Sequence, residues 1–166
     1  MSNPESDIPM TQALRVLRQH GAAFTPCVYD YEEHGGTRRA AACLGVDGHA
    51  VVKTLVMEDD RRRPFVVLMH GDCEVSLKQL ARQLGVKAVQ PCTPENAQRH
   101  SGYLVGGTSP FGLRKPLPVY VERTIMDLPD IYINGGRRGL LVKVSPAVLE
   151  SLLPVTRVDV ALNSRP

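Results

Sequence analysis

One lysine and two glycine-rich runs carry most of the chemical potential of this sequence. Lys53 lies within Val51-Val52-Lys53-Thr54-Leu55-Val56-Met57, an otherwise apolar and largely β-branched stretch. An ammonium group is costly to bury unless it is paired. It either points to solvent from one face of a half-exposed strand, or is held at a cleft to grip a phosphate or a developing oxyanion. The second feature is Gly102-Tyr103-Leu104-Val105-Gly106-Gly107-Thr108-Ser109-Pro110-Phe111-Gly112. Paired glycines let a ligand approach the backbone and can present N–H groups to an oxygen. Thr108 and Ser109 add hydroxyls, and Arg114-Lys115 adds charge just beyond. A tight turn between strands is the competing reading. The run is no P-loop, because G-x-x-x-x-G-K-[ST] is absent. The third feature, Asn134-Gly135-Gly136-Arg137-Arg138-Gly139, falls between two short apolar runs. Asn-Gly is a strong hairpin signal, but a plain hairpin needs no pair of arginines.

Conventional nucleophilic catalysis finds no constellation here. G-x-S-x-G is absent, and no cysteine belongs to a recognisable Cys–His–Asn framework. Glu32-Glu33 and Asp59-Asp60 read as loop charge. The cysteines at 27, 43, 73 and 92 have no zinc-like spacing, and the histidines at 20, 34, 49, 70 and 100 include no i, i+4 pair. Neither a metal nor a cofactor is expected. Hydrolysis by such a chain would rely on positioning and oxyanion stabilisation, with the attacking group coming from water or the substrate.

These residues need elements to hold them. Residues 1–9, with Pro4 and Pro9, read as a loose N-terminal arm, and 162–166 as a C-terminal tail around one domain over 10–161. Apolar residues at 10, 13, 14 and 17 give a helix stopped by Gly21. Phe24 to Asp30 reads as a strand, and Thr37 as the cap of a short helix ending near Gly45. Val51 to Met57 is a strand, Glu58 to Arg63 a solvated turn with self-compensating charge, and Pro64 to Met69 the returning strand. Ser76 and Thr93-Pro94 open two helices. Tyr103 to Val105 reads as a strand feeding the Gly106-Gly107 loop. Pro118–Val121, Ile131–Ile133 and Leu140–Val144 are further strands, and Ser145-Pro146 opens a last helix. The class expected is α+β: a mixed, mostly antiparallel curled sheet, partly barrel-like, flanked by helices.

The chain has 166 residues, with 43% hydrophobic and 22% charged, enough for one sizeable core. It lacks any 18-residue apolar run and any basic-then-apolar leader order. With free thiols, a reducing cytoplasm is the expected location. Twenty cations against 17 acids leave a net charge of +3, far from a general polyanion binder, so neither DNA nor a membrane is an expected partner. The charge is uneven. Residues 99–121 hold Arg99, Arg114 and Lys115 with no acid, and residues 131–149 hold Arg137, Arg138 and Lys143 with no acid. A basic side facing an anionic ligand is implied. Only five of the cations are lysines, so a lysine inside VVKTLV stands out.

Taken in order, Val52–Val56, Gly102–Gly112 and Ile131–Leu140 resemble the YbaK/EbsC-type aminoacyl-tRNA deacylases, relatives of the editing domain of some bacterial prolyl-tRNA synthetases. The resemblance covers roughly residues 10 to 161. It implies hydrolysis of the ester joining a wrongly attached amino acid to the terminal ribose of tRNA, without metal. Cys-tRNA(Pro) is the leading substrate, and alanine or another small residue the alternative. It implies that Lys53 is the residue most tied to activity, that Tyr29 and Thr54 line the pocket, and that Gly106, Gly107, Thr108, Ser109 and Pro110 hold the aminoacyl group through backbone amides. Asn134, Gly135 and Gly136 would flank the substrate side chain; the family often has Ser or a small residue where Asn134 stands. Arg114, Lys115, Arg137 and Arg138 would dock the acceptor end. Prolyl-tRNA synthetase is the partner that could supply tRNA identity. A non-catalytic tRNA-end or synthetase-binding module is the rival class.

Overall fold

Phe65 to His70 are all buried, so the strand they form must be covered on both faces. Its side chains alternate: Val66 and Leu68 point into one apolar cluster, Phe65, Val67 and Met69 into another. The computed structural model describes residues 8–163. Residues 1–7 of the expected arm and 164–166 of the expected tail lie outside the described residues. The elements are α1 (Gln12–Gln19), β1 (Thr25–Val28), α2 (Gly36–Leu44), β2 (Val51–Asp59), β3 (Pro64–His70), β4 (Cys73–Val75), α3 (Leu77–Leu84), β5 (Val89–Pro91) and α4 (Pro94–Ser101). After a long irregular segment come β6 (Val119–Glu122), a 3-10 turn (Arg123–Asp127), β7 (Ile131–Arg137), β8 (Leu140–Val144), α5 (Ala147–Leu152), β9 (Val155–Val158) and β10 (Ala161–Asn163).

The result is one α+β domain with a mixed sheet ordered β1-β8-β7-β2-β3-β6-β9, with β5 added on β2. Antiparallel pairs join β1–β8, β7–β8, β2–β3 and β2–β5; parallel pairs join β2–β7, β3–β6 and β6–β9. The sheet ends at β1 and β9 and is not closed into a barrel. A separate ribbon pairs β10 with β4. The larger cluster packs Leu14 and Leu17 of α1, Phe111, Ile125 and Leu149 against Val52, Ile131, Ile133 and Val142 of the sheet. The opposite cluster packs Leu80 of α3 on Met57, Phe65 and Met69. A small third cluster seats Ala40 and Ala41 of α2 on Val51 and Leu141.

Local chemistry explains most helix ends. Thr11, Ser76 and Thr93 accept a backbone N–H at the starts of α1, α3 and α4, and left-handed glycines close α2, α3 and α4. Thr37 differs from expectation. Gly35 precedes α2, and the Thr37 hydroxyl donates to the Gly71 carbonyl at 3.2 Å, tying the helix to the end of β3 instead of capping it. Glu58 and Asp59 are also not loop charge: both are buried in β2. Asp59 accepts from the Arg61 and Arg63 amides and from Arg63 Nε at 2.7 Å. Burial pushes its carboxyl up, but these bonds outweigh it and leave the acid below its usual range.

Two further expectations fail for local reasons. Tyr103 to Val105 is not a strand. The Tyr103 hydroxyl donates to the Phe111 carbonyl at 2.6 Å, and the Gly107 amide to the Leu104 carbonyl at 2.8 Å, so residues 102–112 fold on themselves. Asn134-Gly135 is not the hairpin turn either. β7 runs through to Arg137 with a bulge between Asn134 and Arg137, and the turn is Arg138-Gly139, Gly139 having φ +84°.

Candidate active site

A gap between two parallel strands makes the site. β2 pairs with β7 only at Val51–Tyr132 and Val52–Ile133. Beyond that, β7 swings away through its bulge, and the next ladder on this side of β2 begins at Met57 with β5. Residues 53–55 therefore border an opening, a cavity of about 480 Å³, in the range of small-ligand sites. Lys53, Thr54 and Leu55 line it from β2, Tyr29 and Tyr31 from the segment after β1, Thr37 and Ala40 from α2. Val105, Gly106 and Thr108 line it from the folded loop, and Asn134 and Arg138 from the bulge and turn of the β7–β8 hairpin.

Lys53 is half-buried, with about a fifth of its side chain exposed. Its Nζ is 3.9 Å from Glu74 Oε1, and that carboxylate is largely in water. So long and open a pair contributes little, which leaves the ammonium a strong donor at the cavity wall. Beside it, the buried Thr54 hydroxyl has no hydrogen-bond partner among the described residues. A buried hydroxyl left unpaired costs free energy in the folded protein. Burial pushes the Tyr29 phenol up, so it stands as a neutral donor.

Asn134 joins two of the walls. Its Nδ2 donates to the Gly106 carbonyl at 3.2 Å, while its Oδ1 accepts from the Gly136 and Arg137 amides at 2.7 and 3.1 Å. The same side chain thus shapes the bulge and anchors the loop. Gly106 has φ +89°, and a Cβ there would sit 3.1 Å from Tyr31 Oη. A Cβ on Gly107 would meet the Arg138 backbone nitrogen at 2.7 Å. The paired glycines are what let this loop lie against the hairpin. Arg138 is held by Nε donating to the Val105 carbonyl at 3.0 Å, with its guanidinium 5.4 Å from the centre of the Tyr31 ring.

The sequence expectations divide accordingly. Lys53, Tyr29, Thr54, Gly106, Thr108, Asn134 and Arg138 come together on one cavity. Gly107, Ser109, Pro110, Gly135 and Gly136 do not line it. The Gly107 amide is spent on Leu104, the buried Ser109 hydroxyl accepts from the Phe111 amide, and Gly135 and Gly136 pack against Leu140 and Tyr103. Arg114 and Lys115 lie on the exposed stretch beyond α4, with Lys115 Nζ 3.3 Å from His100 Nδ1. Lys143 faces Asp130 at 4.0 Å. Tyr31 was missed, although Tyr29-x-Tyr31 in an extended segment places both rings on one side.

His49, His70 and Asp72 were also not foreseen as neighbours. Their ligating atoms lie within 4.8 Å of one another, and the two imidazoles stack at 3.6 Å. The donor set does not suit a metal. His70 Nδ1 is 2.6 Å from the His49 carbonyl and must donate to it, so Nε2 accepts from the Thr124 hydroxyl at 2.7 Å. No lone pair of His70 remains. His49 Nδ1 lies 2.9 Å from Asp72 Oδ1, and the chain of bonds braces the strand ends behind Val51 and Thr37.

The chain belongs to the aminoacyl-tRNA editing domain family, whose model matches residues 32–152. It is 29% identical over 143 residues to a protein of Enterococcus faecalis provisionally named Cys-tRNA(Pro)/Cys-tRNA(Cys) deacylase EbsC, covering 86% of this chain and 87% of that one. It is 30% identical over 142 residues to a proline–tRNA ligase of Levilactobacillus brevis, covering 81% of this chain but only 24% of the ligase. A crystal structure provisionally described as a trans-editing enzyme for prolyl tRNA synthetase superposes with a TM-score of 0.81 at 21% identity, over 98% of this chain and 99% of that one. That last likeness concerns the fold.

Proposed function

We propose that this protein is a trans-editing hydrolase that cleaves the ester of mischarged aminoacyl-tRNA, with Cys-tRNA(Pro) as its principal substrate. The observation that carries this reading is the convergence of Lys53, the unpartnered Thr54 hydroxyl and Arg138 on one cavity beside the Gly106 loop. In the reaction, water adds across the ester: the acyl carbon–oxygen bond breaks, the ribose oxygen leaves with a proton and the amino acid departs as a carboxylate. The ester is already activated, so holding the carbonyl and the ribose suffices for modest catalysis.

The cavity supports positioning over covalent catalysis. Among the described residues no cysteine or serine lines it, and its titratable groups are Tyr29, Tyr31, Glu33, His34, Lys53 and Arg138. Lys53 grips the terminal phosphate or ribose and orients the ester as a fixed cation; it does not shuttle a proton. Thr54 donates to or accepts from the aminoacyl ester. Among the described residues, the one cluster with metal-like donors is the His49–His70–Asp72 brace, whose bonds are already committed. The reading takes the reaction to proceed without metal, and a rate unchanged by a strong chelator is the expected result. Incubation with tRNAs charged with cysteine, alanine, serine and proline tests the reading. Cysteine should be released fastest and proline spared. Release of alanine ahead of cysteine would reassign the substrate, and no release from any of the four would favour a binding module.

A further inference from the structure

A second cavity, of about 430 Å³, opens on the far side of Tyr29, Tyr31 and Arg138, which wall both spaces. We infer that this second cavity is a nucleotide subsite, taking the phosphate and unpaired base that precede the terminal adenosine while the aminoacyl ester occupies the first. The identity of the ligand as an acceptor end rests on the deacylase reading above.

The lining carries the inference. It contains two arginines, Arg137 and Arg138, two tyrosines and the apolar side chains of Ile8, Val28 and Leu140, with no carboxylate among the described residues. Guanidinium groups fork onto phosphate oxygens, and aromatic or apolar faces take a stacked base whatever its identity. Both are needed for a nucleotide; an inorganic anion needs only the first. Arg138 is fixed at the junction by its bond to Val105 and its place over Tyr31, so the chain of a ligand crossing from one cavity to the other passes a preset cation. Val28 is 63% exposed on an edge strand, an apolar surface at the spot where a base would lie. Unstacked single-stranded ends are read in this way, by stacking plus backbone charge.

Equilibrium binding of adenosine and of the dinucleotide cytidylyl-adenosine tests the subsite without requiring turnover. The parent should bind the dinucleotide roughly tenfold more tightly than adenosine, the size of one stacked base with a phosphate contact. Arg137→Ala and Val28→Glu should bring that ratio below about twofold, whereas Val28→Lys, at the same exposed position, should preserve it. A parent ratio near one, or a ratio that survives both Arg137→Ala and Val28→Glu, overturns the subsite. Hydrolysis of cysteinyl-adenosine and cysteinyl-cytidylyl-adenosine esters is followed alongside. Dinucleotide preference without any hydrolysis supports the subsite and overturns the deacylase reading; hydrolysis of both esters at equal kcat/KM, with equal nucleotide affinities, overturns the subsite alone.

Discussion

Lys53 and Thr54 are neighbours on one strand, yet they make different predictions. Lys53 is paired only loosely, at 3.9 Å with an exposed glutamate, so little folding stability depends on it. Lys53→Ala should therefore leave the melting temperature nearly unchanged while lowering kcat/KM for aminoacyl-tRNA by about 100-fold, the loss typical of a preorganised charge at a reacting centre. Lys53→Arg should recover part of that loss, because a cation is retained although its shape changes. Comparable ester cleavage by Lys53→Ala and the parent would sink the assignment. Thr54 runs the opposite way. Its buried hydroxyl has no partner among the described residues, so Thr54→Val should stabilise the fold by about 1 kcal/mol. If the hydroxyl meets substrate, the same change lowers kcat/KM by about tenfold. A stabilised variant with parental activity would show the hydroxyl to be an unused remnant. Lys53 was legible in the sequence because an ammonium in a β-branched run is anomalous. The orphaned state of Thr54 was not, since it depends on what β7 and the loop place opposite.

At the scale of elements, the site exists because β2 and β7 share only two paired positions, and the brace behind that short ladder is titratable. Burial holds His70 below its ordinary 6.5, opposed by its bond to the His49 carbonyl; the His49 imidazole lowers it further and Asp72 raises it. The unfolded chain then takes up a proton near pH 6.5 that the folded one resists, so stability is full above that pH and falls as pH drops below it. A thermal melt across pH 7.5 to about 5 should show this decline. His70→Gln, whose amide can still bridge the His49 carbonyl and the Thr124 hydroxyl, should flatten the profile in that range. An equally steep profile in His70→Gln would assign the decline to other groups. Sequence reading recovered the strands and helices whose signals are local: caps at Ser76 and Thr93, glycine stops, apolar runs. It failed where long-range contacts decide. His49, His70 and Asp72 are brought together by the pairing of β2 with β3, and Asn134, whose Oδ1 holds the bulge, also reaches Gly106, 28 residues away.

The charge of the whole molecule is where composition was most misleading and the structure most specific. A net charge of +3 conceals cations that are not equivalent. Lys143 faces Asp130, and Arg157 pairs with Glu150 at 2.7 Å. Arg137 and Arg138 instead border the cavities, while Arg114 and Lys115 lie apart on the exposed stretch after α4. Such a distribution predicts binding to a short anionic segment with a larger surface following it, and salt separates the contributions. Each single-strand phosphate contact should add about 0.7 to the downward slope of log kcat/KM against log salt. Arg137→Ala should reduce the slope by about that amount with both minimal and full-length substrates, because it meets the unpaired end. Arg114→Ala with Lys115→Ala should reduce it only with full-length aminoacyl-tRNA, because neither residue lines either cavity. A parent whose kcat/KM is independent of salt would remove the electrostatic docking altogether. A slope altered equally by both changes on the minimal ester would place Arg114 and Lys115 against the terminal nucleotides, and would redraw the path of the acceptor end across this face.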